Sequence, residues 1–302
     1  MMRFFLVGVC LFLWSTSINA QETSVDSLAR KLALEKDPCQ QSFLLTKMAT
    51  LSKPLNIEDA ILYAKKGLQL AAPNNCANLG NLYDILGYFH GEIGKMDIAL
   101  SYLDTAILVY TELKDTAGLV KTYSYSAGFY YSMSDYAKAT TYAYKGLDLN
   151  KNIDNKDGDA QLLSTLASIS TGQNEHEKGL FYTKKALEIY EEENFSKEGK
   201  ATLCYNMGAM YTKLNQLDSA SFFYQKALVL YKEKNNVYGI VTVYLELASV
   251  HRNKGEKEKA LNLIREVEAL RGYIPTMAET NVTIDGIHGS IYQMSKEYDK
   301  AI

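Results

Sequence analysis

Side chains able to do chemistry near neutral pH are few: four histidines and four cysteines among 302 residues. A zinc-protease helix places two histidines on one face with a glutamate after the first. His176-Glu177 starts that pattern, but no second histidine follows at the required spacing. His90, His251 and His288 stand alone. No Cys-x-x-Cys, Gly-x-Ser-x-Gly or phosphate-cradling glycine-rich loop occurs. Glu191-Glu192-Glu193 supplies three carboxylates in a row, yet consecutive helical residues point in different directions, so the run reads as a solvated helix end. Asn194-Phe195-Ser196 and Asn281-Val282-Thr283 match the glycosylation acceptor pattern; were the protein bacterial, they would mean nothing. No catalytic, cofactor or metal-binding residue is assigned, and the chain is expected to be no enzyme.

Charge gives no more. The formal balance is 32 basic against 35 acidic residues, a mildly acidic and evenly mixed surface with no electrostatic reason to bind nucleic acid.

The first twenty residues have the layout of a secretory signal: Met1-Met2-Arg3, an apolar run from Phe4 to Trp14, then a polar stretch closing on Ala20. That run is shorter than the roughly 20 residues a membrane-spanning helix needs, so cleavage after Ala20 is expected. A lipoprotein reading at Cys10 would leave only Phe4 to Val9 apolar. Residues 21–40 read as an N-terminal helical segment. The chain beyond Ala20 is then expected in an oxidising space.

The elements that must position any remaining function are revealed by small residues. Tyr83-x-x-Leu86-Gly87-x-x-His90, followed by Ala99 and Ala106, recurs as Tyr123-x-x-Ser126-Ala127-x-x-Tyr130 with Ala139 and Gly146. Further copies centre on Ala167, Gly208, Ala248 and Gly289, so the small residue steps by 40, 40, 41, 40 and 41. A degenerate earlier copy centres on Met48. Each copy reads as two helices, because apolar residues recur at three- and four-residue steps. Short polar breaks at 94–97, 133–136, 214–218 and 254–257 separate the helices. Small side chains fit where two helices press together, since a larger one would force them apart. Seven units result, the last ending one turn into its second helix, which reads as truncation.

Cys39, Cys76 and Cys204 remain after signal cleavage. Cys39 and Cys76 each sit just before the first helix of successive units, so stacking brings them to equivalent places; they are candidates for a disulfide, though sequence alone does not fix connectivity. Cys204 reads as an ordinary buried helix residue.

The spacing of small, aromatic and apolar residues over 41–302 resembles the tetratricopeptide repeat. That resemblance implies an all-α, right-handed α-solenoid of antiparallel helix pairs. Two departures stand out. The period is about 40 rather than 34, as in the longer repeats of kinesin light chains and bacterial peptide-sensing regulators, and the family's closing Pro is missing from the central units; position four also lacks Trp. The extra residues fall between one pair and the next, around Gly118, Gly158, Gly199 and Gly239, and imply longer helices. The N-terminal part resembles exported sensor regions of bacterial signalling proteins, in which repeats precede a membrane helix and a histidine kinase or helix-turn-helix output domain.

In the family, positions two, five, nine and twelve of each first helix line an inner face that holds a peptide or partner helix. Here these include Asn81, Asp84, Tyr88, Lys121, Ser124, Tyr131, Gln161, Ser164, Ser168, Thr202, Tyr205, Thr212 and Arg252. This lining is neutral, hydroxyl-rich and dotted with Tyr, a residue suited to interfaces. Tyr110, Tyr190 and Tyr231 at the second-helix ends read as packing residues. The Lys and Asn of a carboxylate clamp are absent. The expectation is a protein- or peptide-binding periplasmic sensor region of a two-component-type signalling protein, membrane-attached only through a segment not in this sequence; a free periplasmic scaffold is the alternative. An enzyme would require a site that the residues do not reveal.

Overall fold

A computed structural model of the chain describes residues 25–193, 196–270 and Gly289. The expected signal segment, the truncated seventh repeat and His288 lie outside the described residues. Among the described residues there are helices and no strands. They form two compact units divided between Ile153 and Asp154.

The first unit holds α1 (25–34) and three helix pairs: α2 (Pro38–Ser52) with α3 (Ile57–Asn74), α4 (Leu79–Glu92) with α5 (Met96–Leu113), and α6 (Thr116–Ser132) with α7 (Tyr136–Asn150). The second holds α8 (Lys156–Gly172) with α9 (His176–Glu192), α10 (Lys197–Lys213) with α11 (Leu217–Glu233), and α12 (Val237–Asn253) with α13 (Lys257–Ala269). This is an all-α repeat fold, with consecutive helices packed pairwise.

One register organises every second helix. α11 buries Ala220, Tyr224, Ala227 and Tyr231, at steps of four, three and four. The same steps bury Ala99, Leu103, Ala106 and Tyr110 in α5, and Ala60, Ala64, Gly67 and Ala71 in α3. Such spacing puts a narrow stripe on one side of a 3.6-residue helix. Because the stripe is mostly Ala and Gly, the partner backbone comes close. At Gly87 an added Cβ would fall 2.7 Å from the Leu103 side chain, and at Gly208 2.6 Å from the Tyr224 ring. The small residues found by periodicity are thus the crossing points.

Turns inside the pairs follow from one left-handed residue each: Gly94, Ser134, Asn174, Asn215 and Gly255, at φ between 57° and 76°. The next residue's N–H then reaches back to a carbonyl five residues earlier, as from Lys95 to His90, Asp135 to Tyr130 and Glu256 to His251. This reversal satisfies a carbonyl that the helix end leaves bare.

The connections between pairs carry the longer helices that the period implied: Gly118, Gly158, Gly199 and Gly239 lie within the first turns of α6, α8, α10 and α12. Asp115, Asn155, Ser196 and Asn236, three residues earlier, cap those helices by accepting from the glycine N–H. A polar side chain at this position neutralises one of the amides that a helix start leaves free. The glycine has a steric reason too. A Cβ at Gly118, Gly199 or Gly239 would come within 3.0 Å of the ring of Tyr110, Tyr190 or Tyr231, respectively. The tyrosine ending one pair lies in the notch that opens the next.

Cys39 and Cys76 are joined by a disulfide, with Cα atoms 5.3 Å apart. Cys76 precedes α4 as expected, whereas Cys39 falls inside α2, directly after the Pro38 that starts the helix. Cys204 is a buried free thiol.

Two outcomes follow. A220L inserts a branched side chain where α11 has no exposed surface at all, and is expected to cost roughly 1–3 kcal/mol by overpacking; urea melts identical to the parent would remove Ala220 from the crossing. Reducing the disulfide, which closes a separation of 37 residues, is expected to cost roughly 2–4 kcal/mol, read as a lower urea midpoint with little change in slope.

Candidate functional site

In the first unit the first helices α2, α4 and α6 are tied side by side by polar groups. Asn78, which precedes α4, donates from Nδ2 to Ser42 Oγ at 3.0 Å and to Thr46 Oγ1 at 2.9 Å, both on α2. Lys121 of α6 donates to Asn81 of α4 at 3.2 Å. Thr122 of α6 donates to the Asp84 carboxylate of α4 at 2.6 Å. These links hold the helices in register across the repeats.

They also build a strip of rings and ammonium groups. Lys53, at the end of α2, sits 4.7 Å from the centroid of Tyr88, donates to its hydroxyl at 3.3 Å, and pairs with Glu92 at 2.9 Å. The Tyr88 hydroxyl donates to the same carboxylate. Tyr88 stacks on Tyr125 of α6, centroids 5.0 Å apart. Lys121 lies 5.6 Å from the Tyr125 centroid on that helix. The order Lys53, Tyr88, Tyr125, Lys121 therefore crosses three helices, with two carboxylates beneath it. Cations over ring faces are favourable where partly desolvated. Burial works against the Lys53 charge, but its bonds to Glu92 and Tyr88 outweigh this and raise its pKa above the ordinary lysine value.

Asp84 was expected to line the inner face, and the structure corrects this. It is fully buried, bonded to Thr122, to the Tyr110 hydroxyl at 3.2 Å, and paired with Lys121 at 3.6 Å. Position five in one first helix is reached by groups from the next pair, and the ligand-facing role is lost. Burial pushes its carboxyl up to about 6, against the pull of Lys121, Thr122 and Tyr110. Ser124 is likewise buried.

The remaining expected residues divide. Asn81, Tyr88 and Lys121 share the network, while Tyr131 is half-buried at the end of α6 beside Tyr136. In the second unit Gln161 is exposed and bonded to Asp157. Ser164, Ser168 and Thr212 return their hydroxyls to their own helices. Thr202 lies 3.3 Å from the Tyr231 hydroxyl. Tyr205 packs 5.7 Å from Tyr224, and burial, with the Glu246 charge nearby, pushes its pKa up to about 12. Arg252 donates to Ser249. None of these forms a second strip like the first. Lys53, Glu92 and Tyr125 escaped the sequence reading because they fall outside the four family positions and meet only after repeats stack.

Two of the histidines have local contacts. His90 is buried and stacks 5.5 Å from Tyr102, and burial lowers its pKa, with Lys65 and Lys95 adding to the effect. His251 pairs with Glu256. Among the described residues no three His, Cys, Asp or Glu side chains are grouped to hold a metal ion.

A pH test isolates Asp84. Its folded carboxyl holds a proton more tightly than the ordinary value of 3.8, so the folded state binds more protons between about pH 4 and pH 6. Stability from this group is complete below pH 4 and is lost as pH rises through 6, by roughly 3 kcal/mol. D84N is therefore expected to gain on the parent by up to that amount between pH 4 and pH 7 in urea melts; a constant difference would show that Asp84 titrates normally.

Comparison with known proteins agrees with this geometry. Residues 201–233, spanning α10 and α11, match the tetratricopeptide repeat family. No curated protein matches the sequence. Among solved structures, the apo form of the quorum sensor NprR from B. thuringiensis superposes with a TM-score of 0.72 at 16% identity, covering 99% of this chain and 83% of that one. The apo form of RapI gives 0.67 at 17% identity, covering 97% and 85%. BtubC from P. vanneervenii gives 0.63 at 21% identity, covering 73% and 94%. At these identities the likeness is one of fold: the chain has an all-α helical-repeat fold of the tetratricopeptide kind, and residues 201–233 match that repeat.

Proposed function

We propose that this chain is a protein- or peptide-binding module whose primary contact surface is the Lys53–Tyr88–Tyr125–Lys121 strip, and that it acts as the exported sensor region of a bacterial signalling protein. The strip carries the first half of this reading. Stacked, half-buried rings offer contact area at small entropic cost. Two ammonium groups offset by Glu92 and Asp84 leave the strip near neutrality, so it suits a backbone with few charges better than a polyanion. Donors and acceptors both lie along it, as an extended main chain requires.

Three observations support the second half. The Cys39–Cys76 disulfide fits an oxidising compartment, as does the signal layout of residues 1–20. The structural likeness to the quorum sensor NprR agrees with a sensing role. Ligand binding across α2, α4 and α6 would favour one arrangement of those helices over others, which is how a repeat array passes on occupancy.

The experiment is selection of random peptides against the oxidised chain, with Y88A/Y125A as the counter-screen. Enriched peptides should bind the parent and lose at least tenfold affinity for the double variant and for K53A, with melting temperatures checked in parallel. Failure to enrich any peptide, or equal binding to the variants, removes the strip from the function. For export, the chain in an envelope fraction should begin at Gln21; an intact Met1 in the cytoplasm would overturn that part alone.

A further inference from the structure

In two pairs of the first unit a second-helix ring is sandwiched by first-helix side chains at the same two registers; α8/α9 carries Leu163 and Ser170 there instead. In α4/α5, Tyr102 stacks on His90, three residues after the crossing Gly87, and lies 6.3 Å from Tyr83, four residues before it. In α6/α7, Tyr142 stacks at 5.3 Å on Tyr130 and lies 5.8 Å from Tyr123, at the same two registers around Ala127. In α10/α11 half the pattern persists: Phe223 stacks at 5.5 Å on Tyr211. At the other register, four residues before Gly208, the side chain is Cys204. The next pair returns to a tyrosine, Tyr244.

Beside Cys204 there is a cavity of about 470 Å³, lined by Leu187 and Glu191 of α9, Lys200 and Cys204 of α10, and Lys226 and Val229 of α11, among others. One of its cations is placed as a filled slot places its own: Lys226 holds the register of Lys145, whose ammonium lies 6.0 Å from the Tyr123 centroid and 5.2 Å from that of Tyr142. Tyr244 instead has the Lys232 ammonium of the preceding second helix 5.2 Å from its centroid, a register that Glu191 holds at the cavity. Lys226 now rests 5.0 Å from Phe222, a side chain half exposed at the cavity mouth.

We propose that this cavity receives an aromatic side chain, a tyrosine by preference, presented by a partner protein and seated where other repeats place their own tyrosine. The rim supports that choice by charge: the Lys200 and Lys226 ammonium groups complement the electron-rich face of a ring, and the Glu191 carboxylate is an acceptor for a phenol. An aliphatic side chain would use neither. Burial pushes the Cys204 thiol up to about 11, so the cysteine provides room rather than a nucleophile. The site lies in the second unit and is independent of the strip on α2, α4 and α6.

The test uses p-cresol, the tyrosine side chain as a free molecule, titrated into the full chain carrying 13C-labelled Leu and Val methyls. Leu187, Val229 and Leu230 should shift saturably. C204Y should abolish those shifts with the melting temperature unchanged or higher, because the chain then fills its own slot. K226M should weaken p-cresol about two- to fivefold, and cyclohexylmethanol should act several-fold more weakly than p-cresol. Absent shifts in the folded parent, equal shifts in C204Y, or a C204Y chain that no longer folds would each overturn the proposal. Equal responses to the saturated ring would overturn its aromatic character. A dimer in sedimentation that p-cresol dissociates would make the occupant a second copy instead, and would equally overturn the partner assignment.

Discussion

The contact on which successive pairs depend is a tyrosine ring seated over a glycine. Tyr110, Tyr190 and Tyr231 each end a second helix and press on Gly118, Gly199 and Gly239 in the first turn of the next. A ring there buries a large apolar area, and the glycine is required because any β-carbon would occupy the same space. The cap three residues earlier fixes where that helix starts, and so where the notch lies. Position and shape are set together, which is why the glycines keep a steady step while the capping residue varies among Asp, Ser and Asn. In α7, which closes the first unit, the residue at the tyrosine register is Asn150.

The same contact reaches the binding face. Tyr110 packs against Gly80 as well as Gly118, and its hydroxyl donates to Asp84. Asp84 in turn accepts from Thr122 and pairs with Lys121, and Lys121 stands over Tyr125. Packing between pairs thus determines where one end of the strip stands. A carboxylate with no exposed surface is tolerated only because several donors converge on it; take away the neighbouring pair and it would need solvent. The buried acid consequently couples the relative position of α4 and α6 to the placement of a surface lysine.

What was legible in the sequence was whatever repeats. Gly87, Ala127, Ala167, Gly208 and Ala248 announce the crossings because a small side chain is needed at one address in each copy, and the turns are visible because few residues adopt a left-handed backbone cheaply. The stepping glycines were visible too, but their meaning was not. Their partner is a ring in the preceding helix, and a period does not say which side chain faces which. Asp84 shows the same limit from the other direction. A family position describes one pair in isolation, whereas Thr122 and Lys121 belong to the surroundings that stacking creates. Lys53 and Tyr125 fall on no family position, and only adjacency of α2, α4 and α6 makes a strip of them.

Departures from a repeat are therefore more informative than its matches. A position that keeps its residue type in most copies shows what the architecture needs there; one that changes shows either a compensating change nearby or a space. At Asp84 the compensation is present, since Lys121, Thr122 and Tyr110 all turn toward it. At Cys204 it is partial: Tyr211 and Phe223 keep their stack, and Phe222, where the tyrosine-bearing pairs carry Ser101 and Thr141, packs on Phe223 and takes the Lys226 ammonium, yet a space remains beside it. Protein interiors close on small voids because unfilled volume forfeits dispersion contacts. A space of about 470 Å³ that persists beside an intact stack, with Phe222 half exposed at its edge, has the form of a socket whose plug belongs to another molecule.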